Sequence, residues 1–522
     1  MGRYLNPGNA AFQESLNSKI YVDKSGLIAH CNELIQTQQK YMCISRPRRF
    51  GKTMAADMLT AYYSEGCDSS SQFDNLSVSS CATYHKYMNM YPVIHLNIQT
   101  FLNESGFASD MIERVKGGLL HDLLRYYGDI DYIDKNSLAD VMTDIFAETG
   151  KKFIMIIDEW DCIFREYQSD SYAQRAYLDF LRNLLKDRTY IGLCYMTGIL
   201  PIKKYGTQSA LNMFTEYTME NPLDLAEFTG FTESEVKKLC EKYNIDFYEC
   251  QTWYDGYSYP ECGSIYNPKS VITLLLTGVF DDYWSRTETY ESLRIYIDMN
   301  FDSLKDDILA LIAGDKRKIA TGSFQNDMTS LGTKDEVMTL LIHLGYLGYE
   351  RNTCEVFIPN EEIRREFILA TTSENSWSEI VNSVKKSDEL LQSLLGGDEE
   401  EVAKGIEDAH FETSHLQYND ENALTYTISL ALYSARRYYK LIRELPAGKG
   451  FADIAFIPRK IYGNMPAMIV ELKWNKTAET AINQICERHY PASLKDYAGN
   501  ILLIGINYDK ETKKHTCRIE KA

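Results

Sequence analysis

The chain has 522 residues, of which 44% are hydrophobic and 25% charged, and its formal net charge is −19 at pH 7. This length predicts several domains with sizeable cores, and the composition is typical of a globular protein. The acidic balance argues against a surface that is basic throughout and binds nucleic acid everywhere. A local basic groove stays open, because residues 441–522 hold 13 Lys and Arg against 9 Asp and Glu.

The remaining bulk features favour a cytoplasmic protein with reduced thiols. No run of about 18 apolar residues is present, so no membrane span is expected, and the first residues lack the pattern of a signal peptide. The 12 cysteines are scattered, without a C-x-x-C pair or a zinc-type cluster. We therefore expect mostly buried free cysteines.

The first informative segment, residues 40–64, predicts a strand, a turn and a helix in that order. KYMCIS is a short apolar strand, PRRFG a turn and KTMAADMLTAYYS a helix, which is the context of a phosphate-binding loop. Backbone N–H groups would face the phosphates of ATP, while Lys52 reaches the β- and γ-phosphates and Thr53 holds Mg²⁺. The predicted ATP-binding residues of this loop are Arg46, Pro47, Arg48, Arg49, Phe50, Gly51, Lys52 and Thr53.

The loop departs from the usual pattern at its first position, where Arg46 replaces a glycine. Arginine fits a tight turn less readily than glycine, but Gly51 is retained where the backbone comes closest to the phosphates. Arg46, Arg48 and Arg49, or Lys203 and Lys204 further on, could meet phosphate charge. The alternative for each of them is solvated surface.

A second signal follows at residues 151–161, KKFIMIIDEWD, an apolar strand that ends in acids. Asp158 is placed to contact Mg²⁺ as a Walker B carboxylate, and Glu159 to polarise the water that attacks ATP. The alternative is a buried strand that runs into a solvated acidic turn.

Two further strands, YPVIHLNIQTF (91–101) and YIGLCYMTGIL (190–200), complete a sheet pattern. Four apolar strands separated by helical stretches predict a parallel sheet covered by helices, with ligands at the carboxyl ends of the strands. Thr197 falls at such an end and could sense the γ-phosphate; a helix cap is its alternative. An inserted strand and a Walker B glutamate are typical of the AAA-like division of P-loop ATPases.

The middle of the chain predicts a helical lid and a winged-helix-like module. FTESEVKKLCEKY opens with a capping box, and the aromatic stretch WYDGYSYP (253–260) is expected to pack in a core or lid. Residues 334–367 predict a helix, a hairpin and a second helix. Such modules bind DNA or act as scaffold, and scaffold is favoured because the turn carries only Arg351. GGDEEE, from residue 396, predicts a boundary or an exposed helix start.

The last segment predicts the order α-β-β-β-α-β: helix 419–439, strands YKLIREL, GKGFADIAFIP and PAMIVELKW, helix 476–490 and strand 500–509. Asp453 interrupts one strand, and Glu471 and Lys473 share a face of the next. Asp453 and Glu471 could ligate Mg²⁺, with Lys473 positioning water and stabilising the transition state.

Two further side chains of this segment could join the site, Glu421 from the first helix and Gln484 from the second. Buried acids and a lysine need partners or a metal. The alternative is an exposed sheet edge where Lys473 forms a salt bridge with one acid.

On FADIAFIP, IVELKW and AINQICERHY, this segment resembles the PD-(D/E)xK nuclease superfamily. The whole chain resembles a bacterial family that couples an AAA-ATPase-like domain to such a domain, also through IYVDKS, SRPRRFGKT, IIDEWD, MTGILPIKK, WYDGYSY and YNP. The resemblance implies ATP binding through Lys52 and Thr53, a Walker B pair, and nuclease-type roles for the C-terminal acids and lysine. It also implies that an arginine in place of the loop's first glycine is usual. The resemblance does not identify a substrate.

The expected fold is a multidomain α/β protein. Its segments would be a P-loop ATPase-like domain (1–220), a helical lid (221–300), a winged-helix-like connector (301–400) and a restriction-endonuclease-like domain (401–522). The leading functional hypothesis is an ATPase that gates Mg²⁺-dependent cleavage of nucleic acid, with foreign nucleic acid as a candidate target and DNA favoured over RNA. The alternatives are a nucleotide-dependent switch or scaffold, and a plain ATPase with a degenerate C-terminal domain. Assembly into a homo-oligomer stays open.

Overall fold

A computed structural model gives the fold of the chain. It describes residues 2–202, 204–205, 208–209, 211–284, 290–299, 301, 304–312, 314–326, 331–372, 375–412, 428, 431–447, 450–459, 462–488, 494 and 500–522. The chain forms two compact units, Met1–Thr289 with Lys318–Ile363, and Tyr290–Arg317 with Arg364–Ala522. The finer division into four domains stays a prediction.

The strands are short in the first unit and longer in the second. They are β1 Tyr41–Ser45, β2 Val93–Asn97, β3 Phe153–Asp158, β4 Ile191–Gly198, β5 Lys204–Tyr205, β6 Gln208–Ser209, β7 Thr215–Tyr217, β8 Phe231–Thr232, β9 Tyr257–Tyr259, β10 Gly263–Tyr266, β11 Arg317–Lys318, β12 Gly348–Glu350, β13 Glu355–Phe357, β14 Tyr439–Ala447, β15 Gly450–Pro458, β16 Ala467–Trp474, β17 Ile501–Asp509 and β18 Lys514–Lys521.

The helices lie between these strands. They are α1 Ala10–Leu16, α2 Gly26–Leu34, α3 Lys52–Tyr63, α4 Ser70–Phe73, α5 Tyr84–Tyr87, α6 Ile98–Asn103, α7 Ala108–Tyr126, α8 Leu138–Thr149, α9 Cys162–Glu166, α10 Ser171–Leu185, α11 Glu233–Tyr243, α12 Phe247–Tyr254, α13 Pro268–Thr277, α14 Tyr290–Ile297, α15 Leu304–Ile312, α16 Lys334–Leu344, α17 Glu361–Thr372, α18 Asn375–Gly396, α19 Glu399–Glu412 and α20 Ala478–Glu487. Among the described residues, no helix combines the length and the apolar character needed to cross a membrane.

The first unit is built on a parallel sheet with the strand order β2-β3-β4-β1-β7. The four predicted strands are confirmed, and their parallel direction places their carboxyl ends on one edge. Side chains of β3 alternate between two apolar cores, one on each face of the sheet, which explains why the strand reads as continuously apolar. The strand β7 was not predicted, because three residues are too few to display a period.

The segments that follow the sheet in the first unit match their predictions. Thr232 and Glu235 form the expected capping box at the start of α11. The stretch WYDGYSYP contributes Tyr254, Tyr257 and Tyr259 to the core, all less than 9% exposed. Aromatic packing therefore accounts for this motif.

The helix, hairpin and helix of the winged-helix-like module are also present, as α16, the pair β12–β13 and α17. The helix α16 is buried from Val337 to His343, so it offers no exposed face for reading a DNA groove. In the hairpin turn, Arg351 donates to the side chain of Asn221 at 2.9 Å. These contacts favour the scaffold interpretation.

The second unit contains a mixed sheet with the order β14-β15-β16-β17-β18. Only the pair β16–β17 is parallel, as the predicted crossover through α20 requires. The additional strand β18 has polar, mostly exposed side chains, and therefore resembles a loop in sequence. Most of the helix predicted at 419–439 lies outside the described residues, and its last turn is a 3₁₀ helix at Tyr433–Arg437.

Candidate nucleotide site and candidate metal centre

The phosphate-binding loop connects the buried strand β1 to α3, with Gly51 at the helix N-cap. Gly51 has φ +84°, a left-handed conformation that costs glycine little. A Cβ atom built on Gly51 would meet nothing within 4 Å. The space in front of the amino end of α3 is thus open, as an anion site at a helix N-terminus requires.

Lys52 is folded onto its own loop. Its Nζ donates to the carbonyl oxygens of Arg46 at 3.0 Å and Pro47 at 2.9 Å, and the residue is 4% exposed. Burial lowers the pKa of Lys52, against the opposing effect of Glu159 and Asp158. The ammonium group therefore lies within electrostatic reach of two carboxylates, while its hydrogen-bond acceptors in the described chain are neutral oxygens.

Asp158, at the end of β3, is the centre of a hydrogen-bond cluster drawn from several elements. Its carboxylate accepts bonds from Thr53 Oγ1 at 2.8 Å, from Asn97 Nδ2 at 3.3 Å and from Thr197 Oγ1. The capping alternative for Thr197 is wrong, because its hydroxyl is committed to this acid. Asp158 and Asp161 are both fully buried, so the solvated acidic turn is wrong as well. Hydroxyl and carboxylate oxygens suit Mg²⁺.

Sequence reasoning missed Asn97. Its amide also caps α6, because Oδ1 accepts the N–H of Thr100 at 3.0 Å. The available signal was a polar residue at the carboxyl end of an apolar strand, the position that singled out Asp158 and Thr197.

Glu159 follows the strand with φ +53°, a conformation that non-glycine residues seldom adopt. Its Oε2 forms an ion pair with Nη2 of Arg165 at 2.6 Å, and the side chain is 22% exposed. Burial raises the pKa of Glu159, and the nearby charge of Lys52 opposes this rise. The structure thus brings the predicted base next to the loop lysine.

The arginines of the loop have different environments. Arg46 is 1% exposed, and its Nη1 donates to the carbonyls of Ser45 at 2.9 Å and Tyr217 at 3.1 Å. Solvated surface is therefore wrong for Arg46. The reason is β7, the unpredicted strand, whose Tyr217 carbonyl accepts the guanidinium. Arg48 and Arg49 are exposed.

The other loop residues are held from outside the loop. The carbonyl of Arg48 accepts the indole N–H of Trp284 at 3.1 Å. Pro47 is buried against Gly345, and the ring of Phe50 meets Tyr257 edge-on at 5.6 Å. Lys203 and the side chain of Lys204 lie outside the described part of the chain.

A small, partly open apolar cavity borders the loop. Its lining comprises Phe12, Ile20, Tyr21, Val22, Lys24, Phe50, Gly51, Met54, Ala55, Met58, Phe228, Gly230, Phe231, Pro268 and Ile272. The polar end of Lys24 is occupied by Glu235 at 2.6 Å and by the carbonyl of Glu227 at 2.7 Å. The motif IYVDKS thus lines this cavity, a role that its sequence did not reveal.

In the second unit, the predicted acids and lysine come together on the central strands. Glu471 and Lys473 on β16 are 2% and 5% exposed, with Lys473 Nζ 2.9 Å from Glu471 Oε1. Asp453 on β15 accepts the N–H of Leu472 at 2.7 Å. The predicted salt bridge is therefore present, but the exposed edge is wrong because β16 lies in the middle of the sheet.

The contacts of Glu471 indicate whether it could serve as a metal ligand. Gln484 on α20 donates to Oε1, as its predicted orientation requires, whereas Oε2 is buried with no hydrogen-bond partner in the described chain. Burial and the repulsion of Asp453 raise the pKa of Glu471 to about 7, against the lowering effect of Lys473. A hard cation bound by the two carboxylates would offset both the burial of the Glu471 charge and its repulsion by Asp453.

The carboxylate set is incomplete in the residues that can be described. Glu421 lies outside them, and within them no group of three or more His, Cys, Asp or Glu side chains is arranged to hold a metal. Asp453 and Glu471 therefore fit a divalent cation as two of its ligands.

Two family models match the chain. Residues 9–207 match a model described as a predicted AAA-ATPase, and residues 419–517 match the PD-(D/E)XK nuclease superfamily. A protein of Azotobacter chroococcum mcd 1, described as uncharacterized and encoded in the vnfD 5' region, is 24% identical over 283 residues. The match covers 52% of this chain and 51% of that relative, so it spans about half the length of both. The chain thus combines a predicted AAA-ATPase-like domain with a C-terminal domain of the PD-(D/E)XK nuclease superfamily.

Proposed function

We propose that the first domain binds ATP with Mg²⁺ and hydrolyses it. The observation that carries this proposal is the cluster in which Thr53, Asn97 and Thr197 all donate to Asp158. Thr53 and Asp158 would hold Mg²⁺, which when bound would neutralise negative charge on the phosphate groups of ATP.

The other residues of the site divide the chemistry between them. Lys52 exchanges two neutral carbonyl acceptors for phosphate oxygens, which are stronger partners for an ammonium group. Glu159 polarises the attacking water, and Thr197 reports on the γ-phosphate through its bond to Asp158. The open amino end of α3 supplies N–H donors.

The apolar cavity beside Gly51 and Met54 is proposed to hold the adenine ring. Tyr21, which is partly exposed and lines this cavity, offers aromatic surface for a flat, weakly polar ring. Tyr21→Ala should weaken ATP binding about tenfold and leave binding of inorganic triphosphate unchanged. Equal losses for both ligands in a calorimetric titration would contradict this placement.

For the C-terminal domain we propose Mg²⁺-dependent cleavage of phosphodiester bonds. Asp453 and Glu471 would hold the metal, which provides Lewis-acid assistance when bound. Lys473 would orient the water and stabilise negative charge on the phosphorus centre. The support for this is the uncompensated buried Oε2 of Glu471 beside a second carboxylate.

The nucleotide state of the first domain is proposed to gate this cleavage, with foreign DNA as the favoured substrate. A specific observation supports a second candidate, a switch that binds nucleic acid or protein without cutting. Lys473 already pairs with Oε1 of Glu471 in a buried ion pair, which supplies a counter-charge to the acid without metal or substrate.

One assay matrix separates these functions: wild type, Lys52→Ala and Lys473→Ala, each with and without ATP, on DNA and RNA in Mg²⁺. We expect wild type to cut when ATP is present. Lys52→Ala should lose ATP turnover and gated cleavage, and Lys473→Ala should lose cleavage alone. Exposed Lys238 and Lys476 provide matched control substitutions. Wild type that turns over ATP but cuts no nucleic acid would support the switch.

A further inference from the structure

Arg165 on α9 forms a buried ionic bridge next to the proposed ATP site. Its side chain is 8% exposed, and its guanidinium lies 2.6 Å from Glu159 Oε2 and 3.3 Å from Asp161 Oδ2. Nη2 donates a hydrogen bond to Glu159, whereas Nε approaches Asp161 as an ion pair without a hydrogen bond. Arg165 therefore ties the side chain of Glu159 to that of Asp161.

Asp161 is itself anchored to the segment that follows Thr197. Its Oδ2 accepts the backbone N–H groups of Ile199 at 3.0 Å and Leu200 at 2.8 Å. The close approach requires a glycine at position 198, because a Cβ there would lie 2.7 Å from Asp161 Oδ1. Arg165 thus rests on a rigid support at the carboxyl end of β4.

Glu159 needs such support more than most acids. Its backbone is left-handed at φ +53°, and several torsions separate its carboxylate from that backbone. Only Oε2 is engaged by Arg165; within the described chain, Oε1 makes no hydrogen bond or ion pair. The bridge thus fixes one oxygen and leaves the other available to a water molecule.

We propose that Arg165 is a positioning residue for ATP hydrolysis, which holds the carboxylate of Glu159 in the orientation that activates water. This inference rests on the proposed ATPase function and adds a residue to it. Arg165 acts through Glu159 and does not touch the nucleotide. Misplacing a catalytic group by about 1 Å can cost on the order of 10²-fold in rate.

The test is a double-mutant cycle on the full chain, with ATP and Mg²⁺ as the probe. We expect Arg165→Met to lower kcat on the order of 10²-fold with KM for ATP within about threefold. Arg165→Lys should recover part of kcat, since lysine keeps the charge but not the fork. Adding Arg165→Met to Glu159→Gln should cause no further loss, because the two residues act as one unit.

Arg182, whose guanidinium lies on the surface of α10 with Asp179, provides a matched control through Arg182→Met, which should keep wild-type kcat. A wild-type kcat for Arg165→Met, or losses that add in the double variant, would overturn the inference. If Arg165→Met fails to fold, Arg165→Lys is the deciding variant. A wild-type kcat in Arg165→Lys would show that the guanidinium group is not needed to position Glu159. Absence of ATP turnover in wild type itself would overturn the proposed function together with this inference.

Discussion

Asp158 in the first unit and Glu471 in the second are both buried acids on central strands, but their partners differ in charge. Asp158 accepts hydrogen bonds from two threonine hydroxyls and an asparagine amide. Glu471 is bound by a lysine ammonium group and a glutamine amide. Neutral donors orient an acid without cancelling its charge, whereas a lysine cancels it.

This difference separates a site whose acid is bound by neutral donors from one in which a lysine already pairs with one carboxylate oxygen. Mg²⁺ would join Asp158 without displacing a cation. At Glu471 it would have to share the acid with Lys473 or displace it, and such a rearrangement costs free energy unless a ligand supplies it. The second site is therefore the better place for control by nucleotide or substrate.

The largest expected effect compares the two buried lysines. Lys473→Met leaves Glu471 as a buried carboxylate without its cation, which should lower the free energy of unfolding of the second unit by about 3–5 kcal/mol. Lys52→Met removes an ammonium group whose hydrogen-bond acceptors in the described chain are neutral carbonyls, so the first unit should lose about 1–2 kcal/mol. Urea unfolding monitored by hydrogen exchange of β16 and β1 measures both.

Added Mg²⁺ should restore part of the stability of Lys473→Met, because a cation can replace the lost charge. Equal losses for the two methionine variants would remove the distinction between the sites.

Asp158→Asn tests whether the negative charge of Asp158 is needed for ATP hydrolysis. Asparagine keeps the shape and an acceptor for the threonine hydroxyls but loses the charge that a cation needs. We expect kcat for ATP to fall on the order of 10²- to 10³-fold. Steady-state phosphate release measures the loss, and Asp179→Asn, on the surface of α10, is the control. Turnover within fivefold of wild type would show that the charge of Asp158 is dispensable.

A third experiment uses Glu362, a buried acid. Burial raises its pKa to about 7, against the lowering effect of the neutral groups that donate to it. Ser270 Oγ and the N–H groups of Tyr283 and Trp284 donate to it at 2.6–2.8 Å. Between pH 4.5 and 7 the folded chain keeps a proton that the unfolded chain has lost. The associated stability is therefore complete below about pH 4.5 and is lost as the pH rises to about 7, by roughly 3 kcal/mol.

Glu362→Gln removes this titration and keeps an acceptor for both N–H groups. Urea unfolding of the first unit gives the free energy of unfolding of variant and wild type. From pH 5 to pH 8, the free energy of the variant should rise relative to that of wild type by roughly 3 kcal/mol. A difference that is independent of pH would mean that neutral donors suffice to keep a buried acid ionised.

The sequence predicted much of both sites, because apolar strands and the polar residues that end or interrupt them are visible in a single segment. Asp158 and Thr197 were found at strand ends, whereas Asp453, Glu471 and Lys473 were found as polar residues within apolar strands. It could not reveal β7 or β18, since one is very short and the other polar. Partners that meet only in the fold, such as Tyr21 with the loop cavity, leave no local pattern.

Arg46 gives a small effect and a further comparison with Lys473. Both are buried cations, but Arg46 donates to the neutral carbonyls of Ser45 and Tyr217, so its removal strands no charge. Arg46→Met keeps the aliphatic stem and should cost about 1–2 kcal/mol of unfolding free energy, the value of hydrogen bonds lost from a cation. ATP affinity, measured by calorimetry, should stay within about twofold, because the guanidinium points to β7. A tenfold loss of affinity with unchanged stability would return Arg46 to the phosphate-binding role that its position in the loop predicts.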